Sequence, residues 1–210
     1  MMSIPNIPFV QISLTLANKA ISELKIIRDF EQEDSAKLLE GHLFSLYALS
    51  LQYMFLMEIT KLLEGSNKGG KENFSSMEKA GEAMLKKGIS NYADNHSILK
   101  ARLENIRESE FFGYLKKLRN KKYAHSDGDL DIDPLKFPIP KSDEILDCLK
   151  IMTELYDIWK LITNAIGYDF DSKVPHRDVR TRNYLKFHSV YKQFYFDHKA
   201  QAIREGYLLK

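Results

Sequence analysis

The chain is short of cysteine, of proline and of long apolar runs, and each shortage excludes something. Of 210 residues only Cys148 is a cysteine. That rules out an intrachain disulfide and a cysteine-built metal site. Cys148 falls in an apolar helical repeat and reads as a small core residue, and a reducing, cytoplasmic setting fits. No proline stands between Pro8 and Pro134, so this long interval is free to be helical apart from its loops. The most apolar stretch, Leu43 to Met57, falls short of the ~20 residues a membrane span needs, and Glu58 and Lys61 follow at once. No membrane partner is expected. Met1 to Pro8 carries no basic n-region and no small-residue cleavage site, so no signal peptide is expected. His42, His96, His176, His188 and His198 are scattered without a paired H-E-x-x-H spacing. The reading is therefore no metal site and no cofactor.

What is present is an ordinary soluble composition, 44% hydrophobic and 29% charged. A chain of this length can bury roughly 70% of its unfolded surface, enough for a core. The net charge of +2 is unevenly placed. Residues 173–210 hold five Lys and four Arg against Asp178, Asp197 and Glu205, a balance of +6, which leaves −4 for the first 172. Lys116, Lys117, Arg119, Lys121 and Lys122 form a second basic cluster. Both patches suit a polyanion, although solvated charge runs are common on surfaces.

Apolar spacing predicts a first helix over about Ile12–Phe30 and a second over about Ala36–Glu64, with Asp34-Ser35 as its cap. The second is apolar almost all round, so it is expected to be buried on several sides, as the bundle centre or as part of a dimer interface. Shorter helices are expected near Ser76–Lys87 and Asn91–Glu108, then Glu110–Tyr123. A last long helix, capped by Ser142, runs to about Ile166. Gly65 to Lys71 lacks the Gly-Lys-Ser/Thr ending of a phosphate loop and reads as a plain loop. Asp127 to Asp133 alternates acids like a calcium loop, but Ile132 and Pro138 stand where an EF-hand needs glycine and glutamate, so it reads as an acidic surface loop. Beyond Gly167, Tyr184, Phe187, Tyr191, Phe194 and His198 recur at helical spacing beside Arg180, Arg182, Lys186 and Lys192. That pattern fits an amphipathic helix on the bundle, or an arm whose rings stack bases while its cations hold phosphates.

The stretch that carries chemistry is Leu118-Arg119-Asn120-Lys121-Lys122-Tyr123-Ala124-His125-Ser126-Asp127. Phe111, Phe112, Leu115 and Leu118 make one apolar helical stripe, and Ser126-Asp127-Gly128-Asp129 breaks the helix. On an unbroken helix Arg119 and His125 would stand about 9 Å apart along the axis and about 120° apart around it. A bend after Ala124 could bring both to one phosphate. Histidine can give or take a proton near neutral pH, and arginine grips phosphate oxygens with a planar fork. The pair suits cleavage of a phosphodiester that supplies its own nucleophile, the ribose 2′-hydroxyl. The plainer reading is that cations at a helix C-terminus merely complement its dipole.

Arg119-Asn120 followed by His125 resembles the motif of HEPN domains. The longer string Arg-Asn-Lys-Lys-Tyr-Ala-His-Ser-Asp resembles their abortive-infection branch. The resemblance implies an all-α, HEPN-like up-and-down helical bundle around a long central apolar helix, comprising residues 1–170. Residues 171–210 would be a basic, aromatic-rich helical extension packed on the same domain. It also implies a homodimer with a composite site and a metal-independent endoribonuclease acting as a toxin or phage-defence effector, with an antitoxin or regulator as possible partner. Arg119, His125 and Asn120 would then be catalytic. Lys116, Lys117, Lys121, Lys122, Arg180 and Arg182 would bind RNA. The alternative is a non-catalytic module of the same fold that binds RNA, a nucleotide or a protein. Where some relatives carry a regulatory tyrosine two residues after the histidine, this chain has Asp127.

Overall fold

The computed structural model describes residues 6–30, 42–64, 75–89, 92–120, 141–166 and 185–186. Among these there are six helices and no strand: α1 (Asn6–Asp29), α2 (His42–Leu63), α3 (Met77–Lys86), α4 (Tyr92–Glu108), α5 (Glu110–Arg119) and α6 (Ser142–Asn164). The chain is all-α. No described helix is long and apolar enough to cross a membrane.

Local chemistry sets most of these bounds. α1 begins at Asn6, earlier than the apolar spacing suggested, because Pro8 sits in its first turn, where a missing N–H costs nothing. Ser76 caps α3, its hydroxyl accepting from the Lys79 N–H at 3.4 Å. Gly88, at φ +63°, ends α3 in the left-handed region that glycine tolerates best. Ser109 separates α4 from α5 with a single residue: its Oγ accepts from the Phe112 N–H at 3.2 Å and donates to the Ile106 carbonyl at 2.7 Å. Ser142 is not the cap of α6 but its first residue. Lys141 holds the cap position, and its backbone N–H donates to Glu144 Oε2 at 2.7 Å. A carboxylate three residues into a helix reaches back to the cap in this way.

α1 packs mainly on α2 and α6 and also touches α3; α4 packs on α3, α5 and α6; α5 lies on α2 and α4. Val10, Leu14, Ala17, Ala20, Ile21, Leu24 and Ile27 of α1 are all buried, so α1 turns one continuous apolar stripe to the core. α2 is not buried all round. Phe44, Ala48, Leu51, Phe55, Leu56, Ile59, Leu62 and Leu63 enter the core, while Leu46, Tyr47 and Tyr53 are each 43% exposed. Ile145, Met152, Leu155, Ile158, Trp159 and Ile162 of α6 close the core as their spacing requires. Leu185, from the 171–210 segment, is buried in the same cluster, and Lys186 beside it is exposed.

Arginines tie the outer helices to this core. Arg102 holds Glu154 through Nε at 2.5 Å and Nη2 at 2.7 Å, joining α4 to α6. Arg107 donates from Nε to the Leu63 carbonyl at 2.6 Å and from Nη2 to Glu78 at 2.7 Å. It thereby links α4 to the end of α2 and the first turn of α3.

Cys148 is buried beside this core, as its position in an apolar repeat suggested. Burial, with Glu144 and Asp147 adding repulsion, pushes its thiol up to about 12. Burial alone pushes Tyr92 up to about 12. In both cases the folded state holds a proton that the unfolded chain releases sooner, near pH 9 for the thiol and near pH 10 for the phenol. Stability from these groups is complete below pH 9 and falls as pH rises towards 12. Urea midpoints measured from pH 8 to 11 should therefore fall in the alkaline half, and less steeply for Cys148→Ala than for the parent. At pH 8 a thiol reagent should leave the folded protein unlabelled and label it fully in denaturant.

Candidate functional site

The candidate site is built on α5. Phe112 and Leu115 are buried and Leu118 packs partly against the core. This fixes the helix rotation and leaves Lys116, Lys117 and Arg119 on its last turn, where cations complement the dipole. Lys117 is exposed. The Lys116 ammonium lies over the Phe112 ring, 5.9 Å from its centroid. Asn120 closes the helix, its backbone N–H shared between the Lys116 and Lys117 carbonyls.

Arg119 is held from two sides. Its Nε and Nη2 donate to Asn120 Oδ1 at 3.1 and 3.0 Å. Its Nη1 donates to Glu64 Oε1 at 2.5 Å. Glu64 is the residue after α2, and its own N–H continues the helix to the Thr60 carbonyl at 2.7 Å. The Arg119 side chain is 20% exposed and that of Glu64 is 40% exposed. A guanidinium has five N–H donors. Three are used here, so among the described residues two remain without an acceptor. Among the described residues the group is charged, oriented and incompletely satisfied, which are the properties an anion site needs.

Asn120 therefore lies beside the arginine, as the motif reading expected, and orients it through a forked hydrogen bond. Lys116 and Lys117 share its helix turn. His125, Lys121, Lys122, Arg180 and Arg182, together with Tyr123 and the acidic loop from Asp127, lie outside the described residues. Sequence reasoning missed Glu64. It stands 55 residues from Arg119, and a glutamate at the end of an apolar helix carries no local signal of that pairing. Among the described residues no group of three His, Cys, Asp or Glu could hold a metal ion.

No protein-family model, no curated protein and no solved structure matches this chain.

Magnitudes separate the site arginine from the structural ones. The Glu64 carboxylate is 40% exposed, so its pair with Arg119 is partly screened by solvent, and solvent-exposed pairs contribute about 0.2–1 kcal/mol. Arg107 is 17% exposed and its partner Glu78 15%, and its loss also strands the Leu63 carbonyl. Hydrogen bonds to charged groups are worth about 1.5–3 kcal/mol each. Urea denaturation should show Arg107→Ala destabilised by about 2 kcal/mol or more, and Arg119→Ala by less than about 1 kcal/mol. Equal losses would make Arg119 a fold clamp like Arg107.

Proposed function

We propose that this protein is a metal-independent endoribonuclease of HEPN type, a toxin or phage-defence effector that works as a homodimer. The observation that supports it best is the Arg119 guanidinium, oriented by Asn120 and Glu64 with two N–H donors left over among the described residues. In the reaction the ribose 2′-oxygen attacks the adjacent phosphorus and the bond to the 5′-oxygen breaks. The products are a 2′,3′-cyclic phosphate and a 5′-hydroxyl. Arg119 stabilises the charge that develops on the phosphate oxygens. His125 takes the 2′-hydroxyl proton or supplies one to the leaving oxygen. Asn120 positions Arg119. Lys116, Lys117, Lys121 and Lys122 draw in the strand, a contribution that weakens with salt.

A second reading is favoured by the ion pair itself. Arg102, Arg107 and Arg119 each join an outer helix to a carboxylate on another element. On that pattern Arg119 serves cohesion, and the chain is a non-catalytic module binding RNA, a nucleotide or a protein.

Total cellular RNA incubated in EDTA with parent, Arg119→Ala and His125→Ala proteins separates the two readings. The ribonuclease reading expects cleavage by the parent and at least a hundredfold loss in each folded variant. Cleavage that requires added magnesium, or that survives both substitutions, would overturn it.

A further inference from the structure

Between α1, α2, α5 and the first turn of α6 lies a cavity of about 270 Å³ that the cleavage chemistry does not use. We propose that it is a base-binding pocket and that the base it accepts is guanine. This deepens the ribonuclease reading, because the pocket would choose the base lying beside the cleaved phosphate; it rests on that reading only for that role.

The volume suits one base with part of its sugar. It lies at the lower edge of small-molecule pockets, which run from about 300 Å³ upward. It equals roughly nine waters at their liquid volume, but its walls are poor hosts for water. Phe55 comes from α2, and Phe111 and Tyr114 come from α5. The Phe111 and Tyr114 rings are 6.2 Å apart and inclined at 32°. Aromatic walls of this kind stack on any base and do not choose between bases.

The choice falls to two polar side chains from different helices. Gln52 lines the cavity from α2 and is only 7% exposed. Its amide makes no hydrogen bond to another described residue and is not one of the unpartnered polar groups sealed from solvent, so it is open to a ligand. Glu144 lines it from α6. Glu144 Oε1 accepts from the Tyr114 hydroxyl at 3.1 Å, and Oε2 accepts from the Lys141 N–H at 2.7 Å. These bonds hold the carboxylate plane still. An ionised carboxylate has about four acceptor positions, so about two remain for a ligand.

A fixed pair of acceptors asks for two adjacent donors. Guanine presents them on its Watson–Crick edge, as N1–H beside the exocyclic amine. Adenine and cytosine place a ring acceptor beside their amino group and would face the carboxylate with a lone pair. Uracil has a single donor. The Gln52 amide offers an N–H of the kind that guanine O6 accepts. The cavity also reaches Leu118, one residue before Arg119. The Cα atoms of such neighbours are about 3.8 Å apart, so a nucleotide seated here lies next to the α5 terminus.

Calorimetric titration of the full chain with guanosine 5′-monophosphate and adenosine 5′-monophosphate tests this, beside Glu144→Gln and Gln52→Leu. Glutamine can keep the reach-back to the helix start, and Gln52→Leu is a second, apolar change should the first disturb folding. The expected result is at least tenfold tighter binding of the guanine nucleotide by the parent, with that preference lost in each folded variant. Equal affinity for both nucleotides, no binding of the guanine nucleotide, or unchanged preference in both variants would overturn the pocket. Guanine binding without RNA cleavage would sustain the pocket and sink the ribonuclease. Cleavage with no guanine binding would do the reverse.

Discussion

Two arginines converge on the last turn of α2. Arg107 takes the Leu63 carbonyl and Arg119 takes the Glu64 carboxylate. A helix C-terminus leaves its final carbonyls without partners and carries negative partial charge. Cations from other elements are the natural way to satisfy it. Because Arg107 comes from α4 and Arg119 from α5, this one terminus fixes where both helices lie. The single-residue break at Ser109 leaves them little freedom to choose otherwise. The rest of the candidate site is a consequence, since α5 brings Arg119 and Asn120 to this place.

The same junction holds a tension between cohesion and chemistry. A guanidinium saturated by carboxylates would have nothing to offer a phosphate. Here the partial exposure of Glu64 keeps the pair weak, and the second partner, Asn120, is neutral. On the proposed reading a phosphate at Arg119 would meet a side chain already ordered, so less rotamer entropy would be lost on binding. It would also meet a competing carboxylate, which on the proposed reading a multiply charged strand would have to displace.

Much of the fold was legible in the sequence, for definite reasons. The helical stripes of α1, α5 and α6 are three- and four-spaced apolar repeats, and Ser76 and Gly88 bound α3 by chemistry that acts over a few residues. Legibility ended where partners are distant. α2 is apolar around its circumference, so periodicity could not say which face stays outside, and Leu46, Tyr47 and Tyr53 proved to be exposed. Ser142 resembled a cap, but Glu144 does the capping from inside the helix. The arginine and asparagine of the site were visible as a string. Glu64, Gln52 and Glu144 became visible only once α2, α5 and α6 were brought together.

The central claim is that Arg119 is an anion-binding group serving attack by the ribose 2′-hydroxyl, and the ends of cleaved RNA test it most directly. RNA cut by the parent protein in EDTA should carry 2′,3′-cyclic phosphates and 5′-hydroxyls. Products bearing 3′-hydroxyls and 5′-phosphates would mean that water or another external nucleophile attacks the phosphate, and that account of the site would be wrong.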